Sequence, residues 1–313
     1  MTLIEPDAAI RVAGDWTHRD IYAHGARFHV VEQGEGPAVV LLHGFPTFWW
    51  TWRHQITALA EAGYRAIAMD LRGYGGSDHP PHGYDPFTLS ADVAAVIRSL
   101  GESEAVIVGH GWGAFVAWSM AVLEPDVVTA IVPVSSPHPR RVRSASMQPW
   151  RRRMSLGYAA GFQVPFLPER ALTRDEGARV GDLITEWSGT PGWPDTEALS
   201  MYRSAFMRWP TAHTAIEFHR WAGRSVPRPD GLRYMSRMKA DINADVLHVH
   251  GSRDPMMSID ACEGSASFVR GSYALSAMDT GHFPHEENPR QFNELLITWL
   301  HGEQHPNSVV NTA

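Results

Sequence analysis

Val108-Gly109-His110-Gly111-Trp112-Gly113 is preceded by an apolar run at 105–108 and followed by a helical run at 112–123. A strand therefore turns sharply into a helix here. Small residues, Gly109 and Gly113, flank one central position. That is the context in which a parallel-sheet enzyme presents a nucleophile on a strained elbow. The central position is residue 111, and it is glycine. Glycine-rich strand-to-helix turns also occur in nucleotide-binding folds, so the stretch needs support from elsewhere in the chain.

Four further segments supply it, each just beyond a strand-like run. Leu42-His43-Gly44-Phe45-Pro46 follows the run 38–42, and Asp70-Leu71-Arg72-Gly73-Tyr74-Gly75-Gly76-Ser77-Asp78 follows 65–69. Asp254 follows 246–250, in Gly251-Ser252-Arg253-Asp254-Pro255, and His282 follows 273–277, in Gly281-His282-Phe283-Pro284-His285. Nucleophile position, acid and histidine thus occur in the chain order of the α/β-hydrolases. Further strands are expected at 28–31 and 127–134, and helices at 52–62, 89–100 and 289–300. Ser90 and Asp92 lie near the start expected for the second of these helices. The alternation predicts an α/β fold: a mostly parallel sheet with helices on both faces.

From 136 to 238 strand-like runs cease, and helical spacing dominates at 168–187, 196–209 and 212–221. The expected organisation is an α/β core, residues 1–135 and 239–313, interrupted by an all-helical cap, residues 136–238. The polar tail 301–313 is expected to fray.

With these motifs in register, the chain resembles the epoxide hydrolases of the α/β-hydrolase superfamily from about residue 16 to residue 300. The His-Gly-Phe-Pro stretch is similar to theirs, whereas the related haloalkane dehalogenases usually carry Asn after His-Gly. Gly109-His110-Gly111-Trp112-Gly113 is similar to their Gly-His-Asp-Trp-Gly with one letter changed. Two lid tyrosines are implied by the resemblance. Tyr158 stands in a Tyr-x-x-x-Phe-Gln-x-Pro context and Tyr202 in a Tyr-Arg-x-x-Phe context.

In such enzymes an aspartate attacks an epoxide carbon and forms an alkyl ester. The tyrosines stabilise the developing alkoxide. By resemblance, His282, oriented by Asp254, then activates a water that hydrolyses the ester. The backbone around His43, Phe45 and Pro46 and the Trp112 amide would form the oxyanion site and pocket wall. Gly111 cannot form the ester. His110 is expected to pack beneath the elbow, and Trp112 to line the pocket.

Three accounts of Gly111 stand. The chain is a ligand-binding pseudoenzyme; or a water held by His282 in the space left by the carboxylate attacks the epoxide in one step; or residue 111 has been altered from Asp. Dehalogenase and serine-esterase chemistries both need a nucleophile at the same position.

Bulk properties bound the partners. The 313 residues carry a formal charge of −7 and are 44% hydrophobic and 19% charged, as in ordinary globular proteins. A nucleic-acid partner would favour a basic surface. Arg140-Arg141-Val142-Arg143 and Arg151-Arg152-Arg153 are read as a solvated face. No apolar run reaches the roughly 20 residues of a membrane helix, and the N-terminus lacks signal-peptide character. Cys262 is the single cysteine, so no internal disulfide forms, which fits a reducing, cytoplasmic setting.

The expected partner is a small apolar epoxide or similar oxygen-bearing ligand, with no nucleic acid and no membrane; a homodimer is compatible with the sequence. No cofactor is implied. His79-Pro80-Pro81-His82 and His248 with His250 invite a metal, but proline rigidity and strand alternation are expected to keep those side chains apart. No cysteine or carboxylate cluster is expected to complete a site, so none is expected to bind metal.

Overall fold

Apolar runs flanked by helical ones form parallel strands buried on both faces. In the computed structural model, which describes residues 3–146, 160–302 and 309–311, these are β3 (Ala38–Leu42), β4 (Arg65–Met69), β5 (Ala105–His110), β6 (Val128–Val134), β7 (Asp245–Gly251) and β8 (Tyr273–Met278). They lie in the order β4-β3-β5-β6-β7-β8, all parallel. β1 (Thr17–Ala23), β2 (Ala26–Gln33) and β9 (Val309–Asn311) extend the sheet antiparallel, giving, among the described residues, nine strands in the order β1-β2-β4-β3-β5-β6-β7-β8-β9.

The chain passes from β3 to β4 on one side and then to β5 on the other. The crevice at the carboxyl ends of β3 and β5 is therefore a topological switch point, where open α/β sheets bind ligands.

The helices are α1 (Pro6–Ile10), α2 (Arg53–Glu61), α3 (Pro86–Ser99) and α4 (Trp112–Leu123). α4 is apolar nearly all round, as a helix wedged between a sheet and a neighbouring helix must be; it packs on β5, β6 and α3. Between β6 and β7 lie α5 (Pro139–Ser146), α6 (Leu167–Thr173), α7 (Ala178–Trp187), α8 (Thr196–Phe206), α9 (Thr211–Arg224) and α10 (Pro229–Arg237). Among the described residues between 136 and 238 there is no strand. Then come α11 (Ile259–Glu263), α12 (Pro284–Glu287) and α13 (Pro289–Leu300). No helix among the described residues is long and apolar enough to cross a membrane.

Several details differ from the sequence reading. β1 escaped it because its burial is largely exposed and charged, as suits an edge strand. Its hairpin to β2 turns on His24 and Gly25, both at positive φ. α3 begins at Pro86 rather than 89. Asp85 caps it, its Oδ1 accepting from the Phe87 and Thr88 amides at 3.0 and 3.1 Å. Asp92 is an interior residue whose carboxylate takes the Arg72 guanidinium at 2.6 and 2.7 Å. The helical run at 168–187 breaks into α6 and α7, with Asp175 and Glu176 in left-handed conformation between them. Within the tail, Val309–Asn311 pairs with β8 instead of fraying. Arg140 is only partly exposed, with Nη1 donating to the Met235 carbonyl at 2.9 Å; Arg151, Arg152 and Arg153 lie outside the described residues.

Candidate active site

The elbow's flanking glycines are sterically required. A Cβ on Gly109 would stand 2.2 Å from the Gly113 carbonyl oxygen, and one on Gly113 would stand 2.1 Å from that of Leu42. Gly111 differs. It sits at φ 54°, ψ −111° at the head of α4, a backbone that side chains seldom adopt. Yet a Cβ there would meet only Gly44 Cα and His282 Nε2, both at 3.7 Å, ordinary contact distances. The turn thus holds residue 111 in the strained geometry of a presenting position, with room for a side chain and the imidazole directly ahead of it. The Gly111 amide is anchored to the Val134 carbonyl at 3.0 Å.

Asp254 and His282 meet as their order in the chain implied. His282 Nδ1 donates to Asp254 Oδ2 at 2.9 Å, which leaves the Nε2 lone pair facing Gly111. The Asp254 side chain is fully buried. Its Oδ1 accepts from the Met256 and Met257 amides at 2.7 and 3.3 Å, which fixes its orientation. Beneath, His110 Nε2 donates to the His282 carbonyl at 2.8 Å, and burial holds its imidazole well below the usual histidine range. His110 thus packs under the elbow, away from the cavity.

A cavity of about 240 Å³ opens above Gly111. Phe45, Trp112 and His282 line it from the core, Ser135, Met256 and Met257 from the side, and Trp187, His219 and Ala222 from the helical insertion. A larger cavity of about 820 Å³ shares Trp187 and Met256 as walls. Both are mainly apolar. His43 and Pro46 line neither. His43 is buried below, its Nδ1 donating to the Gly44 carbonyl and its Nε2 accepting from the Leu71 amide at 3.1 Å. It braces the loop rather than walling the pocket.

The two tyrosines separate. Tyr158 lies outside the described residues. Tyr202 is fully buried against Phe48 and Trp50. Its hydroxyl donates to Glu286, which also takes Arg53 Nη1 at 2.8 Å. Tyr202 is not among the residues lining either cavity. A polar insertion residue that lines the same cavity as Gly111 is His219, which the sequence reading missed. Its Nδ1 donates to the Ala215 carbonyl at 3.2 Å, and its Nε2 accepts the Trp112 indole N–H at 2.9 Å. Burial pushes its pKa down to about 3. The signal was the buried stripe of α9, which runs through Ala215, Phe218 and His219 and ends over the elbow.

This sheet, elbow and Asp–His pair define an α/β-hydrolase. Comparison with known proteins agrees. A family model described as alpha/beta hydrolase fold matches residues 37–289. Epoxide hydrolase A of Mycobacterium tuberculosis is 32% identical, over 91% of this chain and 98% of its own. Human epoxide hydrolase 4 is 29% identical, over 89% of this chain and 77% of its own. The solved structure of an epoxide hydrolase from an endophytic Streptomyces superposes with a TM-score of 0.80 at 30% identity, covering 93% of this chain and 96% of that one. The chain belongs to the epoxide hydrolases of the alpha/beta hydrolase fold family.

Proposed function

We propose that the protein hydrolyses an apolar epoxide to a vicinal diol in one step, with a water in place of the carboxylate that its relatives' motif carries at position 111. The observation that carries this is the 3.7 Å from the site of a residue-111 Cβ to His282 Nε2, with Asp254 on the other ring nitrogen. A water in that space lies within reach of a base whose tautomer is already set. As its oxygen bonds to an epoxide carbon, its proton passes to His282 Nε2 and the carbon–oxygen bond of the ring breaks. The alkoxide takes its proton from Tyr158, the lid hydroxyl that the motif supplies, and the proton held by His282 returns through solvent to the Tyr158 phenolate, which restores both groups.

The Phe45 and Trp112 amides, which would serve an ester, have none to serve on this route. The apolar walls select an apolar substrate, and the insertion 136–238 acts as the cap that excludes bulk water.

A second reading, a ligand-binding pseudoenzyme, draws on the commitment of the Tyr202 hydroxyl to Glu286, which removes one of the two ring-opening donors. Diol formation from aryl and alkyl epoxides separates the two, measured for the protein, Gly111→Asp and His282→Gln. The first turnover is run in heavy-oxygen water. On the one-step route the unmodified protein forms labelled diol in that turnover, and His282→Gln abolishes it. Turnover by Gly111→Asp alone, with unlabelled oxygen at first, establishes the binding protein. Failure of both removes the epoxide as substrate class.

A further inference from the structure

Behind Asp254, away from the cavity, three ligand-type side chains converge. His248 and His250 stand two apart on β7, so the strand's period of two puts both on one face. The sequence reading took strand alternation to keep them apart; in fact it aligns them. α11 adds Cys262, and one ligand atom from each of the three lies within 4.8 Å of the others. All three residues are fully buried.

We propose that His248, His250 and Cys262 form a binding site for a thiophilic d¹⁰ cation, monovalent copper in preference to zinc.

The hydrogen bonds around the trio carry the argument. Histidines that ligate a metal donate their other N–H to an oxygen, which fixes the tautomer. His250 Nε2 donates to the Met257 carbonyl at 2.9 Å. Its Nδ1 therefore bears the lone pair, and that nitrogen faces Cys262 Sγ at 3.3 Å. The Tyr273 hydroxyl donates to the Cys262 carbonyl at 2.8 Å, so it must accept from His248 Nδ1, at 2.9 Å. That leaves the His248 Nε2 lone pair, which is buried and has no partner among the described residues. A buried polar atom without a partner costs about 1–3 kcal/mol, which a cation bound there would offset. Two ring N–H groups satisfied by oxygens, two unprotonated ring nitrogens and a thiol make an N₂S donor set.

Metal–nitrogen and metal–sulfur bonds of about 2.0 and 2.3 Å place ligand atoms roughly 3.5 to 4 Å apart, so loading needs only small shifts of the three side chains. When the cation binds, the Cys262 S–H proton leaves to solvent and a metal–sulfur bond forms. One thiolate and two neutral imidazoles then make a neutral site with a monovalent cation. Zinc would leave a buried positive charge and normally takes a fourth ligand. Soft thiolate donors also select monovalent copper.

The test uses the full chain, stripped of metal under reducing, anaerobic conditions. It is titrated with monovalent copper against a chromophoric competitor, and separately with zinc and with cobalt(II). The expected result is one tight copper per chain, lost in Cys262→Ser, with a thiolate-to-cobalt charge-transfer band lost in the same variant. Tyr273→Phe keeps all three ligands but removes the acceptor for His248 Nδ1–H, and should weaken copper binding about 10- to 100-fold. If Cys262→Ser fails to fold, His248→Gln takes its place with the same expected loss. Tighter zinc than copper overturns the choice of ion. Absence of any thiol-dependent band or copper uptake, or binding indifferent to His248→Gln and Tyr273→Phe, overturns the site.

Discussion

The core wall of the cavity comes from the ends of strands, and the facing wall from helices of the insertion. On the core side, Gly111, Asp254 and His282 stand where β5, β7 and β8 run out, and hydrogen bonds link Asp254 to His282 and the Gly111 amide to β6. Sheet register fixes the strand ends, one to four residues before these positions. On the insertion side, Trp187 and His219 reach the cavity from α7 and α9, whose placement depends on how helices pack. The groups whose relative geometry is most closely set thus stand beyond strand ends, and the helices complete the cavity wall.

Substitutions in the two walls should therefore fail in different ways. The largest effect is expected at the elbow's flank. In Gly109→Ala the new Cβ meets backbone at 2.2 Å, and backbone cannot step aside as a side chain can. A loss of about 3 kcal/mol is expected from chemical unfolding. Gly111→Ala has space ahead of it and carries only the strain of its positive φ, about 1 kcal/mol. Equal losses at the two positions would mean that residue 111 is confined like its neighbours and is not a presenting position.

Next is Tyr202→Phe. Removing the hydroxyl takes one donor from the buried Glu286 carboxylate, which keeps Arg53. A hydrogen bond to a charged group is worth about 1.5–3 kcal/mol, so stability should fall by about 2 kcal/mol while any diol-forming turnover per folded molecule stays unchanged. A variant of normal stability whose turnover collapses would return Tyr202 to the ring-opening position.

The same contrast decides what was legible in the sequence. The fold and the Asp254–His282 pair were legible because each motif sits at the end of an apolar run, and the sheet leaves a strand end little freedom. The surroundings of Tyr202 were not legible, because its local context, Tyr-Arg-x-x-Phe, says nothing of which side of α8 meets the cavity. The buried face of α8 takes Tyr202 to Phe48, Trp50 and Glu286 instead. His219 carries no motif at all; only the packing of α9 over Trp112 brings it to the site. Cys262 was unreadable as a partner of His248 and His250 for a similar reason, since the loop between β7 and α11 determines where the thiol arrives.

The smallest effect expected is on the acid side of the stability profile, and it reports on the insertion. His219 is held neutral by burial, its pKa pushed from 6.5 down to about 3. Desolvation of His138, just beyond β6, does the same to that residue, also to about 3. The unfolded chain takes a proton on each near pH 6.5 while the folded chain does not. Between these values the unfolded state binds more protons, so stability rises with pH and is lost as pH falls below about 6.5. Each group should cost about 1 kcal/mol between pH 7 and 5.5. Unfolding at both pH values should show His219→Gln and His138→Gln each reducing the acid loss by about that amount. The two reductions should add, because the residues lie in separate surroundings. A His219→Gln profile as steep as the parent's would mean that the imidazole is already solvated, and that the helical wall over Gly111 is open rather than dry.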